Sequence, residues 1–285
     1  MTEPKAKASK KTETFAFGPW TITSVKGHIL KSHCQSPQKC TTENDSNQTP
    51  CVVCRYQRSL ELPQLPEMVF GDNVLRVEHQ AGFGLEFTAL EALKRVDAHH
   101  DLLQVAAAKA WQEARKTSDF IKEVVKPFDW TYTTDYQGTC LESISKMQTI
   151  NPTDLKIDVE KLKVREKIYF FEEIVLFEDE LADNGCAMLT AKLRVMQSSF
   201  FVLLRFYLRV DGVLIRINDT RVYHEADKNY MIREYTSREK KISDLKVSPS
   251  VLTDANQIHH HLDITKEVTE KLEFPQVTNS VADIS

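Results

Sequence analysis

The strongest constraint on the fold is a pair of long alternating segments near the centre of the chain, joined by Asp211-Gly212. Residues 199–210 and 213–224 both have the composition of strands, and every even position from Phe200 to Val210 is apolar. Successive side chains point to opposite faces of a strand, so these apolar positions share one face. An Asp-Gly dipeptide is typical of a tight hairpin turn. The pattern predicts a long antiparallel hairpin with one apolar face.

A second hairpin is predicted at Asn184-Gly185. After this dipeptide, the odd positions from 187 to 195 are apolar, and the even positions between them are polar except for Met188. A two-residue turn there would place Leu176 opposite Leu193 and Ile174 opposite Val195. Shorter strands are predicted at 20–25, 74–78 and 84–87, and helices at 89–96, from Asp101 to 111, and twice after residue 246. These elements predict a single α+β domain, a curved antiparallel β-sheet or meander with helices packed against it.

The register of the central hairpin determines where its charges lie. With Asp211-Gly212 as a two-residue turn, Phe206 lies opposite Ile217, and Asp219 and Arg221 fall on the apolar face. Charges on an apolar face are unfavourable unless they are paired or border a water-filled cleft. Two interpretations remain open. Asp219 and Arg221 pair with each other or cap a loop near the end of the sheet, or the sheet opens there into a groove that receives a partner segment.

The other face of this hairpin carries arginines beside aromatic residues. In the two-residue register, Arg205, Arg209 and Arg216 lie near Tyr207 and Phe201. Arginines in such surroundings suit the binding of a carboxylate-bearing peptide. They equally suit an ordinary solvent-facing surface.

Composition bounds the partners and the domain organisation. The 285 residues carry a net charge of −4 and 41% hydrophobic residues, so a nucleic-acid partner is not expected. No apolar stretch is long enough for a membrane span. We expect a cytoplasmic location, with the nucleus as an open alternative. Residues 1–14 and 277–285 are predicted disordered tails, the first one basic, and residues 15–276 are predicted to form the domain.

Residues 34–60 are predicted to form a polar, mobile insertion that contains four cysteines. Cys51 and Cys54 form a C-x-x-C pair, but Cys34 and Cys40 are spaced too widely for a second tight pair. Zinc sites normally combine two tight pairs. Zinc binding is therefore the weaker alternative to a loop with reduced thiols, and no cofactor is predicted.

No motif in the sequence predicts catalysis. His224-Glu225 begins like a zincin helix, but Lys228 stands where the second histidine belongs. The chain is predicted not to be an enzyme. An unrecognised enzyme that uses the groove predicted beside Asp219 and Arg221 remains an alternative, because catalytic residues need not be adjacent in sequence.

Six segments of the chain resemble the TIPRL family of TOR-signalling-pathway regulators. They are FGPW at 17–20, LPEMVFGDN at 65–73, KPFDWTYTTDY at 126–136, DGVLIR at 211–216, NDTR at 218–221 and YHEAD at 223–227. The resemblance covers most of residues 15–275. The insertion at 34–60 departs from the family, which usually has a shorter helical connection there.

The resemblance implies a non-catalytic regulator that binds the catalytic subunits of type 2A, type 4 and type 6 protein phosphatases. It implies a cleft that accepts the phosphatase C-terminal tail, further contacts with the catalytic domain, and an effect on phosphatase activity or assembly and on TOR signalling. A scaffold that binds phosphatase complexes through its tails is the alternative.

The resemblance also indicates partner-binding residues. The family's binding region includes the stretch matched by Asn218, Asp219, Thr220 and Arg221, and Ile217, Ile157 and Glu91 resemble other contact positions. From the hairpin pattern we add two residues. Phe206, with Ile217, would bury apolar side chains of the tail, and Arg216, with Arg221, would meet its carboxylates.

Overall fold

Two antiparallel sheets enclose the main core. The computed structural model describes residues 10–31, 33–34, 40, 51–60, 62, 64–96, 130–141 and 149–274. Its strands are β1 (Lys11–Phe17), β2 (Trp20–Lys26), β3 (Met68–Val69), β4 (Val74–His79), β5 (Gly84–Thr88), β6 (Thr139–Leu141), β7 (Thr149–Pro152), β8 (Phe170–Asp179), β9 (Gly185–Val195), β10 (Ser199–Val210), β11 (Leu214–Glu225), β12 (Tyr230–Lys241) and β13 (Asp263–Glu273). Its helices are α1 (Val52–Ser59), α2 (Ala89–Leu93), α3 (Val159–Lys163), α4 (Pro249–Leu252) and α5 (Ala255–Ile258), with 3-10 turns at Ile242–Asp244 and His259–His261.

The described residues form one domain that is dominated by these sheets. The smaller sheet has the order β1-β2-β4-β5-β6, and the larger has the order β3-β8-β9-β10-β11-β12-β13-β7. Each strand from β8 to β13 pairs with the next along the chain, which is the predicted meander. The few helices lie at the ends and on the faces of this framework.

The central hairpin has a three-residue loop, so the predicted register is wrong by one residue. Val210 pairs with Leu214, and Phe206 lies opposite Asn218 rather than Ile217. Gly212 has φ +72°, and glycine adopts this left-handed conformation without strain. Because side chains alternate, a shift of one residue moves every side chain of β11 to the other face. Asp219 and Arg221 therefore lie on the face opposite to the apolar side chains of β10.

The hairpin between β8 and β9 also differs from the prediction. Residues 180–184 form its loop, with positive φ at Leu181, Ala182 and Asp183. Ile174 lies opposite Ala191, and the register shifts between Val175 and Phe177. The predicted alternation is nevertheless confirmed, because the odd positions 187–195 are all buried.

The main core lies between the two sheets. Ile22 and Phe87 of the smaller sheet and Leu189 and Phe206 of the larger one are at most 1% exposed. Phe17 and Trp20 pack edge-to-face on Phe200 across the interface. Burial of large apolar side chains from both sheets is the main stabilising contribution to such a fold.

Two predicted boundaries are corrected. Strand β1 begins at Lys11, within the predicted tail, because residues 11–17 pair along their length with β2. Helix α1 lies within the insertion that was predicted to be mobile, and it is ordered because Val53 and Tyr56 are buried in the domain. The predicted helix at 101–111 and the tail at 277–285 lie outside the described residues. Among the described residues, no helix is long and apolar enough to cross a membrane.

Candidate partner-binding site

The outer face of the larger sheet, which points away from the smaller sheet, carries a charged band between two apolar clusters. The pairing of β8 to β13 aligns the rows of residues that cross the strands. We define the central band as the two adjacent rows that lie between these apolar clusters. These are Glu173, Lys192, Leu203, Arg221, Glu234 and Thr269 in one row, and Val175, Thr190, Arg205, Asp219, Thr236 and Glu267 in the other.

The most buried charges of the central band are paired. Arg205 donates from Nε to Asp219 Oδ1 and from Nη2 to Asp219 Oδ2, both at 2.7 Å. The remaining guanidinium nitrogen donates to the Ala255 carbonyl and to Asn256 Oδ1. The Asp219 side chain is 1% exposed. This pair therefore fixes helix α5 against the sheet. Asp219 is thus part of a structural ion pair, but its partner is Arg205 and not Arg221 as the first interpretation had it.

Arg221 is less completely paired. Its Nη1 lies 3.9 Å from Glu234 Oε2, and 27% of its side chain is exposed. The other oxygen of Glu234 accepts a 2.8 Å hydrogen bond from the Ile157 backbone amide. Arg221 is thus a cation on the sheet face with room for an additional anionic partner.

Apolar clusters cover both sides of the central band. On one side, Tyr207, Ile215 and Ile217 pack against Ile258 and Leu262. On the other side, the segment that contains Ile157 and Leu162 packs on Phe201, Tyr223 and Ile232. Ile217 is 0% and Ile157 is 4% exposed, so both are buried by this chain itself. The band is thereby left as a strip between two covered regions.

Four of the candidate residues point toward the smaller sheet instead. Phe206 is 1% exposed in the main core. Asn218 donates to the Thr134 carbonyl, and the buried Thr220 hydroxyl has no hydrogen-bond partner within the part of the chain that the structure describes. Arg216 donates to Glu239 Oε2 and Thr133 Oγ1. It does not lie beside Tyr207 on the outer face, because the register places it opposite Leu208.

Glu91 lies on α2, in the half of the domain that contains the smaller sheet. Its carboxylate pairs with Lys94 at 2.7 Å. The helix is connected to β11 through a short chain of hydrogen bonds, in which Thr134 donates to the Ala92 carbonyl and accepts from Asn218. The structure therefore separates Glu91 from the outer-face residues Asp219 and Arg221.

Sequence reasoning missed Glu234, which meets both Arg221 and the Ile157 backbone. Its position follows once the register of β11 with β12 is known, because Arg221 pairs with Glu234 directly. The available signal was the concentration of charged residues between 233 and 240, which is difficult to assign to a face of the sheet without a turn that fixes the register.

His224 lies in an aromatic pocket between the sheets and not in a catalytic motif. Its Nε2 accepts from Trp20 Nε1 at 3.1 Å, and its Nδ1 lies 2.9 Å from the Tyr230 carbonyl. Only the neutral ring with hydrogen on Nδ1 satisfies both neighbours. Burial lowers the pKa of His224, which agrees with a neutral, structural histidine.

The four cysteines of the insertion lie together, although their spacing argued against a site. Their sulfur atoms all lie within 4.8 Å of one another. The backbone amide of Cys54 lowers the pKa of the Cys51 thiol to about 7, whereas burial raises that of Cys54 to about 12. Thiolate formation at Cys51 is therefore favoured by the start of helix α1.

The fold and the central band together define a β-rich domain with a charged band on one face of its larger sheet, and comparison with known proteins specifies the family. The family model for the TIP41-like family matches residues 68–246, more than half of the chain. The chain belongs to the TIP41-like family, which confirms the resemblance described from the sequence segments.

Relatives match along most of their length. The chain is 54% identical over 263 residues to a TIP41-like protein of Homo sapiens, which covers 92% of this chain and 90% of the relative. It is 35% identical over 285 residues to the type 2A phosphatase activator TIP41 of Saccharomyces cerevisiae, covering 92% and 75%. It is 34% identical over 273 residues to the type 2A phosphatase activator of Schizosaccharomyces pombe, covering 93% and 100%.

Proposed function

We propose that this protein is a non-catalytic regulator that binds the catalytic subunits of type 2A protein phosphatases. The observation that carries the proposal is the similarity, over more than 90% of this chain, to two fungal relatives that are named type 2A phosphatase activators. We extend the proposal to the type 4 and type 6 enzymes and to TOR signalling, which the family resemblance implies. The effect on the phosphatase is a change in its activity or its assembly.

The central band is the proposed site for the phosphatase C-terminal tail. Glu173 and Lys192 at its β8–β9 end are 43% and 36% exposed in their side chains, whereas residues 153–157 lie across its β13 end. A tail that enters from β8 would cross three strand spacings, about 14 Å, to reach Arg221. In extended conformation that distance corresponds to about four residues.

Within this proposal, Arg221 binds a carboxylate of the tail. A guanidinium forms strong, directional hydrogen bonds with carboxylates, and partial burial strengthens the interaction. The half-buried Leu203 lies one strand away in the same row and offers apolar contact. Glu234 holds both Arg221 and the backbone of Ile157, so it orients the cation for the partner.

The other candidate residues have supporting or separate roles in this proposal. Ile217, Phe206 and Asp219 are buried within the chain, and they hold the sheet face in shape rather than touch the tail. Asn218, Thr220 and Arg216 face the segment 131–136 or the core. They are internal supports. Glu91, on helix α2, has a side chain that is 37% exposed and marks a second surface, which we assign to the catalytic domain of the phosphatase.

A binding titration with purified type 2A, type 4 and type 6 catalytic subunits tests the function. Binding of at least one subunit is expected. A matched deletion of residues 1–9 and 277–285 separates this account from a scaffold that binds through its tails, because it spares strand β1, which starts at Lys11. Loss of binding on that deletion would favour the scaffold, and no binding by the full chain would contradict the proposal.

A further inference from the structure

The thiol cluster of Cys34, Cys40, Cys51 and Cys54 has the dimensions of a metal site. All four sulfur atoms lie within 4.8 Å of one another, and those of Cys51 and Cys34 are 3.6 Å apart. A disulfide requires about 2.05 Å between sulfurs. Four thiolates at about 2.3 Å from one zinc ion lie about 3.8 Å from one another at the corners of a tetrahedron. The cluster is close to the second geometry.

Two parts of the cluster are anchored to the same segment of the domain. Cys34 follows Leu30, whose backbone amide donates to the Val69 carbonyl at 2.6 Å. Cys51 and Cys54 lie at the start of α1, where the buried Tyr56 donates to the Gly71 carbonyl. Residues 69–71 thus place both sides of the cluster before any ligand binds, which reduces the entropy lost on binding.

The remaining cysteine is attached to the same helix. The Arg58 guanidinium donates to the Cys40 carbonyl. All four thiols are half-buried. A ligand at their centre would therefore be partly shielded from solvent and in contact with sulfur donors only.

We propose that Cys34, Cys40, Cys51 and Cys54 bind one zinc ion in a closed, four-coordinate structural site. A tetrahedral set of four sulfur donors favours zinc or iron among the biological metals, and a site without an open position does not activate water. The ion would fasten Cys34 and Cys40 to helix α1 and so hold the ends of the polar insertion against the domain. This role is independent of phosphatase binding at the central band.

Metal analysis of the untagged full chain, expressed in zinc-supplemented medium and desalted by gel filtration, tests the site. One zinc ion per chain is expected. Replacement of zinc by cobalt(II) is expected to give the visible absorption of tetrahedral cobalt and the near-ultraviolet charge-transfer band of thiolate ligands. The cobalt spectrum requires no substitution, so it reports on the site even where a cysteine variant fails to fold.

Cys51→Ser and Cys54→Ser are expected to lose the zinc, and Cys140→Ser and Cys186→Ser serve as matched controls that retain it. His260→Ala controls for adventitious binding at the three consecutive histidines. The proposal is overturned if the reduced chain binds no stoichiometric zinc, or if Cys51→Ser and Cys54→Ser retain it. It is also overturned if the chain contains iron instead, or if mass spectrometry shows a disulfide among these four residues.

Discussion

Arg205 and Asp219 face each other across β10 and β11 in a bidentate ion pair, with side chains only 9% and 1% exposed. Removal of one partner would leave an uncompensated charge in a buried position. We predict that Asp219→Ala lowers the free energy of unfolding by about 3–5 kcal/mol, measured by urea denaturation.

The double variant Arg205→Met/Asp219→Leu is the control for this pair. It removes both charges and is expected to recover most of the loss, because apolar replacements need no hydrogen-bond partners. A loss below about 1 kcal/mol in Asp219→Ala, the level of exposed pairs, would show that the pair is not buried in solution. Because Asp219 stabilises the fold in this way, it is a poor probe of partner binding.

Arg221 is the better probe of the central band. Its contact with Glu234 is long and partly exposed, so Arg221→Glu should change the free energy of unfolding by less than about 1 kcal/mol. The same change should weaken binding of a type 2A catalytic subunit about tenfold or more, because it reverses the charge that meets the tail.

Arg209→Glu is the matched control, since its side chain is 24% exposed and pairs with Asp211 at the hairpin end. It lies outside the band and should leave the binding constant unchanged. Equal loss of affinity in the two variants would indicate a non-specific effect of net charge.

The two glycines of the hairpins provide a stability test of the register. A Cβ on Gly185 would lie 1.9 Å from the Arg209 carbonyl oxygen, whereas one on Gly212 would meet no atom within 4 Å. We predict that Gly185→Ala lowers the free energy of unfolding by about 3 kcal/mol or more. Gly212→Ala should cost about 1 kcal/mol, from the left-handed backbone alone. Thermal and urea denaturation measure both losses. If the two substitutions lowered the free energy of unfolding equally, the pairing of Gly185 with Val210 would be contradicted.

Because His224 is buried as a neutral ring, we predict that the protein loses stability in acid. Burial lowers its pKa in the folded state, and both ring nitrogens already have partners. The unfolded state therefore takes up the proton first, near the ordinary histidine pKa of about 6.5. Stability is fully present above that pH and falls as the pH is lowered, by up to about 1.4 kcal/mol per pH unit for this one group.

The variant His224→Gln isolates that contribution. The pKa of His79 is also lowered by burial, so the wild type retains acid sensitivity from a second histidine that the variant shares. The difference in slope between the two proteins reports His224 alone. Identical pH profiles of the unfolding free energy would contradict a buried neutral ring.

The long strands could be predicted from the sequence, because alternation over ten or more residues leaves few alternatives to a half-buried sheet. The turn between β10 and β11 could not. Asp-Gly is compatible with a two-residue loop and with a three-residue loop that has glycine in the left-handed conformation. The packing of Ile215 and Ile217 against Ile258 and Leu262, far along the chain, selects the second.

The same limitation applies to the candidate site. The sequence indicated the stretch from Asn218 to Arg221, but the faces of its side chains depended on that one-residue choice. Zinc binding at the four cysteines was the weaker alternative from the sequence, because spacing records only neighbours along the chain. The assembly of the cysteine cluster depends on Leu30 and Tyr56, which both bind residues 69–71, and this is a tertiary contact that spacing does not encode.

The most direct test of the central claim is a titration of the wild type and of Arg221→Glu against a type 2A catalytic subunit with and without its C-terminal tail. If the tail binds in the central band through Arg221, tail removal weakens binding of the wild type but has little further effect on Arg221→Glu. Equal binding of the intact and the tail-less subunit by the wild type would contradict this account and place the interface elsewhere on the domain.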